Sequence, residues 1–325
     1  MRILIYSQQG DVGGSTRLLL NLARYLGRYH AVYVAFAGTS TPGATSALLQ
    51  HFSDVQRVAN SARAINDAGY DLALLHMPFS LEPLDRLTIR RKFAVVMEMV
   101  DLHPIPLKEE HCGQLERILY LHPEQMEHFP AELRAARCRL LPIINNIEFE
   151  PEHVKTRYLG AVGGAHKTGL EEALRFVAAL PQEYGLRIWS GRELTLQGLS
   201  PPQLREALAG IGAGRLVGLP VEIDMRILMH SFDALLHTPR HGNGTSVVVS
   251  DALYCGKPVI LSPLPAYKQA YGGAEGVFFA TDPVSDLVRR VVNWGEADFR
   301  RTSNAYRAGY DREQVLRQWR GAIEE

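Results

Sequence analysis

The run DALLHTPRHGNGTSVVVSDALYCGKPVILS, residues 233–262, gathers the residue types that could hold a phosphorylated ligand. A short apolar strand (234–236) leads to a loop carrying Gly242 and Gly244. Thr245 or Ser246 can cap the helix that follows (246–255), and Gly256 and Pro258 end it. A helix starting on small residues presents free N–H groups, which suit a diphosphate. Asn243 stands just before the helix and Asp251 eight positions later within it, so an amide and a carboxylate come near one cleft. On residue types alone, the run equally describes an ordinary loop, helix and strand with Asp251 in solvent. The first loop, QQGDVGG, sets Gly13 and Gly14 ahead of a helix, where backbone can approach a ligand closely or simply turn. Two histidines end apolar runs, His76 in DLALLH and His103 in MEMVDLH, with Glu98 and Asp101 beside the second. Alternation does not decide which of these acids faces outward.

The spacing argues against two common nucleotide sites. A dinucleotide fold needs glycines at relative positions 1, 3 and 6 and an acid closing strand two. Here the glycines are Gly10, Gly13 and Gly14, and strand two ends on Ala37 and Gly38. In GAVGGAHKTG, His166 precedes Lys167 where a P-loop requires glycine. Global charge favours no polyanionic partner, since 35 basic residues balance 35 acidic ones; this weakly disfavours nucleic acid and leaves local patches open. Cys112, Cys138 and Cys255 are far apart and lack metal-ligand spacing, the pattern of reduced thiols in the cytosol. The apolar run at the N-terminus is too short for a signal peptide, and no run reaches bilayer length. A cytoplasmic protein is expected, with peripheral membrane attachment left open.

The elements that must position these residues alternate in type. Apolar runs at 2–6, 31–37, 72–76, 93–99, 117–120 and 139–144 read as strands, with a helix at 16–26 carrying Leu18, Leu19, Leu22 and Leu26 on one face. After the polar stretch INNIEFEPEH the rhythm restarts: strands at 158–162, 186–189, 234–236 and 259–261, helices at 169–179, 224–230 and 246–255. With 325 residues and 46% hydrophobic content, two α/β domains joined near residue 150 are expected, with ligands at the carboxyl ends of the strands.

At this point a family resemblance enters. The segment from Thr238 and Pro239 through Asn243, Gly244, Asp251 and GKPVI is similar in layout to the donor-binding signature of GT-B glycosyltransferases, in particular the retaining family 4 (group 1) enzymes. Asn243 stands for the first acid of that signature and Asp251 for the second. RILIYSQQGDVGGSTRLLLNLARYL resembles the family's opening strand, glycine loop and helix; CRLLPIINNIEFEP resembles its interdomain turn; YDREQVLRQWRGAIEE resembles its closing helix. The resemblance spans nearly the whole chain and implies two Rossmann-like domains facing across a cleft. Residues 1–150 would form the acceptor-side domain, 151–305 the nucleotide-sugar-binding domain, and 306–325 a helix crossing back to the first.

The resemblance also assigns roles. Asp251 would hold the ribose, Asn243 the donor sugar, and Gly13, Gly14, Gly244, Thr245 and Ser246 would line the donor site. Lys167 would neutralise the diphosphate. Ala161 occupies the place expected for a second cation, leaving Arg192 and Arg240 as substitutes. His103 would bond the donor sugar or orient the acceptor. The implied activity is glycosyl transfer from a nucleotide-sugar co-substrate to an unidentified acceptor, with retention and with neither metal nor cofactor. Departures at Ala161 and Asn243 keep two alternatives open, a non-catalytic sugar-nucleotide-binding protein and a nucleotide-sugar epimerase or coupling enzyme.

Overall fold

A computed structural model of the chain describes residues 1–39, 42–97, 107–162, 170–189, 215–239 and 245–325. The chain divides into unit 1, Met1–Ile144 with Arg312–Glu325, and unit 2, Asn145–Asp311. The divisions thus fall at 144/145 and 311/312, where the sequence suggested about 150 and 305.

Unit 1 is built on a parallel sheet of β1 (Arg2–Ser7), β2 (Ala31–Phe36), β3 (Gln56–Arg57), β4 (Leu72–His76), β5 (Arg91–Val96), β6 (Arg117–Tyr120) and β7 (Cys138–Leu140), in the order β3-β2-β1-β4-β5-β6-β7. Its central strands are covered on both faces, hence their unbroken apolar runs: Ile3, Leu4, Ile5, Leu72, Ala73, Leu74 and Leu75 are all fully buried. The expected strand at 139–144 is only three residues long, because the chain leaves the sheet after Leu140. Helix α1 (Gly14–Leu26) lays Leu18, Leu19, Leu22 and Leu26 into the core, as their helical spacing requires.

The C-terminal helix Arg312–Glu324 completes unit 1 and packs on α1. Trp319 is fully buried, and its indole N–H donates to the Pro142 carbonyl at 2.9 Å. Arg117 donates to the Ala322 carbonyl at 2.8 Å, and His30 pairs with Glu324 at 2.8 Å.

Unit 2 repeats the plan with β8 (Tyr158–Val162), β9 (Gly185–Trp189), β10 (Leu216–Leu219), β11 (Ala234–His237), β12 (Val259–Leu261) and β13 (Val277–Phe279), all parallel in the order β10-β9-β8-β11-β12-β13. At the amino end of β11, buried Asp233 accepts from Thr156 N (2.6 Å), Thr156 Oγ1 (2.9 Å) and Arg157 N (2.8 Å). Those bonds hold Arg157 at φ 62°, a left-handed conformation costly for any residue with a Cβ. Two glycines are fixed by space. A Cβ on Gly160 would lie 2.4 Å from the Phe232 ring, and one on Gly256, at φ +64°, would lie 2.5 Å from the Phe299 carbonyl oxygen.

Among the described residues no helix is long and apolar enough to cross a membrane.

Candidate functional site

In open parallel sheets, ligands gather where strands end and helices begin. In unit 2, β11 delivers buried His237 and Thr238 to that end, and β12 delivers Ser262 beside them. His237 Nε2 lies 3.0 Å from the Tyr267 hydroxyl, and Ser262 Oγ donates to the Pro239 carbonyl. The helix Val247–Tyr254 starts here with Ser246 as N-cap. The Ser246 side chain makes no capping bond, and no acid sits in the first turn. The first-turn N–H groups and the positive end of the helix dipole are therefore not neutralised by a cap or an acid of the helix itself, which is the electrostatic requirement for holding an anion.

What fixes this turn is Tyr271, from the helix Pro265–Tyr271. Its hydroxyl accepts from Ser246 N at 2.8 Å and donates to Ser246 O at 3.3 Å. Burial pushes the Tyr271 phenol up to about 12, so it stays neutral and keeps its donor hydrogen. Nothing in the sequence singled out Tyr271 or the helix that carries it.

Asp251 is placed differently from its expected role. It is 1% exposed, and both oxygens accept from Asn146: Oδ1 from the backbone N–H at 2.7 Å, Oδ2 from the side-chain amide at 2.9 Å. A carboxylate so covered presents no oxygen to a ribose. Its place is beneath the helix, tying Val247–Tyr254 to the segment that opens unit 2. One residue earlier, the Asn145 N–H donates to the Tyr310 hydroxyl at 2.8 Å. The sequence showed INNIEF as a polar linker; Asn146 anchors it through both backbone and side chain, Asn145 through its backbone N–H.

Ala161 is also explained. It is fully buried, in register with Ile188, in the core formed by Leu159, Leu174, Val177, Leu236 and Ile260. A cation at this position would sit in hydrocarbon, so alanine there is a core residue and not a lost phosphate ligand.

In unit 1, Gly13 is the N-cap of α1 in extended conformation and Gly14 is the exposed first helical residue; a Cβ on Gly13 would meet nothing nearer than 3.9 Å. This turn is open to a ligand. His76, by contrast, is 1% exposed with Nδ1 2.7 Å from Ser7 Oγ, joining the ends of two adjacent strands. It supports the loop floor and presents no face to solvent. His103, Glu98, Asp101, Lys167, Arg192, Arg240, Asn243 and Gly244 lie outside the described residues. Thr245 and Ser246 stand half-buried at the helix start.

Two α/β units with parallel sheets define the GT-B class of fold. Solved structures sharing it over the whole chain include Anabaena HepE in complex with UDP-glucose, with a TM-score of 0.74, 16% identity, and coverage of 100% of this chain and 99% of that one. Sucrose-phosphate synthase from Thermosynechococcus elongatus matches with a TM-score of 0.68 and 13% identity, covering 100% and 98%. A glycosyltransferase from Rickettsia africae matches with a TM-score of 0.63 and 11% identity, covering 98% and 96%. No protein-family model matches the chain, and no curated protein does.

Proposed function

We propose that this chain is a glycosyltransferase that takes a sugar from a nucleoside-diphosphate donor held by unit 2. The observation that carries this reading is the start of the helix Val247–Tyr254. Its N-cap makes no side-chain bond, its first turn has no acid, and Tyr271 fixes its backbone at the strand ends of a GT-B fold. That HepE, with the same fold, was solved with UDP-glucose supports a nucleotide-sugar donor.

In this proposal the diphosphate meets the N–H groups after Ser246, with Lys167, Arg192 and Arg240 as the candidate cations. Negative charge builds on the diphosphate as the sugar bond breaks, so these groups act most strongly in the transition state. Asn243 would bond the donor sugar and His103 the sugar or the acceptor. Asp251 acts as a positioning residue, holding the helix through Asn146. Transfer with retention, without a metal or cofactor, in the manner of family 4, is part of the same proposal, as is a cytoplasmic location.

The test is a thermal-shift screen with UDP, GDP, ADP and dTDP and their glucose conjugates, paired with a donor-hydrolysis assay. At 100 times its dissociation constant a ligand stabilises by about 2.7 kcal/mol. A selective shift with slow release of nucleoside diphosphate is expected, and Lys167→Ala should reduce both. A shift without any release, across a broad acceptor panel, would replace transfer by sugar-nucleotide binding alone; no shift in a folded sample would remove the proposal.

A further inference from the structure

Lys257 stands at the amino end of β12, away from the start of the helix Val247–Tyr254, and is 2% exposed. A lysine is rarely so covered, because its ammonium surrenders water that acceptors must replace. Among the described residues no acceptor does so: its Nζ makes neither a hydrogen bond nor an ion pair. Lys155, close enough to act on it, shows the usual solution. Its Nζ donates to the carbonyls of Val292 at 3.1 Å, Trp294 at 3.4 Å and Val291 at 3.5 Å.

The acid beside Lys257 is already engaged. Leu235 pairs with Val259, and the same register carried two residues back sets Asp233 next to Lys257. Both Asp233 oxygens turn instead to the donors of Thr156 and Arg157, with Lys155 at 3.7 Å. Two histidines complete the surroundings. His153 lies on the Phe299 ring, centroids 5.5 Å apart, and Phe299 presses on Gly256, one residue before Lys257. His230 ends the helix Met225–His230, its Nε2 buried and without a hydrogen-bond partner. Lys257 acts on both rings, and burial holds all three groups below their ordinary values. Of the other carboxylates felt here, Asp224 caps its own helix, Glu296 pairs with Arg300 and Glu152 is exposed.

We infer that Lys257, His153 and His230 hold a small inorganic anion, at a site separate from the candidate donor site. A covered ammonium without an acceptor and a buried imidazole nitrogen without a partner want the same occupant. It must accept hydrogen bonds from both and carry the missing negative charge. Water would accept the bonds and leave the charge uncompensated. The 2% opening at Lys257 sets the size, since it admits chloride or a single phosphate or sulfate and shuts out a nucleotide. The inference does not depend on the transferase reading.

The experiment is a thermal-shift titration of the full chain with sodium chloride, phosphate and sulfate. Ionic strength is held constant with sodium gluconate, whose anion is too large for the opening. Tm of the parent is expected to rise saturably with at least one of the three. Half-saturation should move about tenfold higher in Lys257→Met, which keeps the length of the side chain and removes its charge. Should that variant fold poorly, His153→Phe, which keeps a ring against Phe299, is expected to weaken the same anion several-fold. No saturable rise, or one unchanged in the variants, would overturn the inference. A rise that never saturates, in parent and variant alike, is the general effect of salt and would do the same. UDP-glucose shifts are recorded on the same samples and should be equal in parent and Lys257→Met. An anion effect abolished by UDP-glucose would place the ion at the donor site and overturn the inference; so would loss of both effects in Lys257→Met, which marks general damage to unit 2. A saturable, Lys257-dependent anion effect without any donor shift keeps the anion site and removes the donor reading.

Discussion

Asp251 and Asn146 lie 105 residues apart in sequence and form a two-point contact in which one carboxylate takes both the backbone and the side-chain N–H of the asparagine. The pair joins the helix at the candidate donor site to the first residues of unit 2. Charge-assisted bonds to a buried carboxylate are worth roughly 1.5 to 3 kcal/mol. Asn146→Ala, which keeps the backbone bond, should lower unfolding free energy by about 2 kcal/mol in urea titrations. Asp251→Ala should cost more, since it leaves a buried N–H unpaired. An Asp251→Ala protein as stable as the parent would show that the contact holds nothing.

Tyr271→Phe removes the hydroxyl that fixes Ser246 without changing the ring. The expected loss of stability is about 1 kcal/mol, from a pair of ordinary hydrogen bonds. The larger effect should fall on nucleotide binding, because an anion at the helix start depends on those N–H directions. Thermal shift by the preferred donor should shrink well beyond the change in baseline Tm. Equal shifts in parent and variant would separate Tyr271 from the donor site.

His153 and His230 give the acid side of the stability profile. Burial holds both below their ordinary value of 6.5, and nearby Lys257 pushes in the same direction for each. Lys155 adds to this at His153, against Glu296 and Asp233; Arg226 adds at His230, against Glu152 and Asp224. The unfolded chain therefore takes up protons first. Their contribution is fully present above 6.5 and is lost as pH falls through 6.5 towards the lower folded values. Tm should decline between about pH 7.5 and 5, and the double variant His153→Gln, His230→Gln should flatten that decline. An identical slope in the double variant would place the titration elsewhere.

Gly256→Ala combines a left-handed backbone with a Cβ placed 2.5 Å from a carbonyl oxygen. Neither strain is relieved by moving a flexible side chain, so a loss of about 2 kcal/mol or more is expected. Gly273, at φ +82° with nothing within 4 Å, serves as the control: its alanine variant should show the conformational part alone.

The strands were the most readable part of the sequence. Residues 72–76, 158–162 and 259–261 match their observed bounds because a strand buried on both faces must be apolar throughout. The edge strands Gln56–Arg57 and Val277–Phe279 are two and three residues long, too short to carry a pattern. The helix starts at Gly13 and Ser246 were legible because glycines and small caps mark strand-to-helix turns locally. Asn146 and Tyr271 were not, because each acts through a partner 105 or 25 residues away. Ala161 was misjudged for a related reason: counting from a motif gave its place in the chain but not its inward direction.

Trp319→Ala should cost about 3 to 5 kcal/mol, since it empties a fully buried indole site and strands the Pro142 carbonyl. A protein ending at residue 311 should show protease cleavage confined to unit 1 while unit 2 stays resistant. Uniform resistance would mean that the helix is dispensable.

The return of residues 312–325 to unit 1 also orders events during synthesis. A ribosome extrudes strands β1 to β7 of unit 1 early, yet the buried indole of Trp319 arrives only after unit 2 has been made. Unit 2 is complete while its predecessor still lacks a helix. For the time needed to translate some 170 residues, unit 1 waits with an apolar groove along α1 uncovered, a state in which a chaperone would find it.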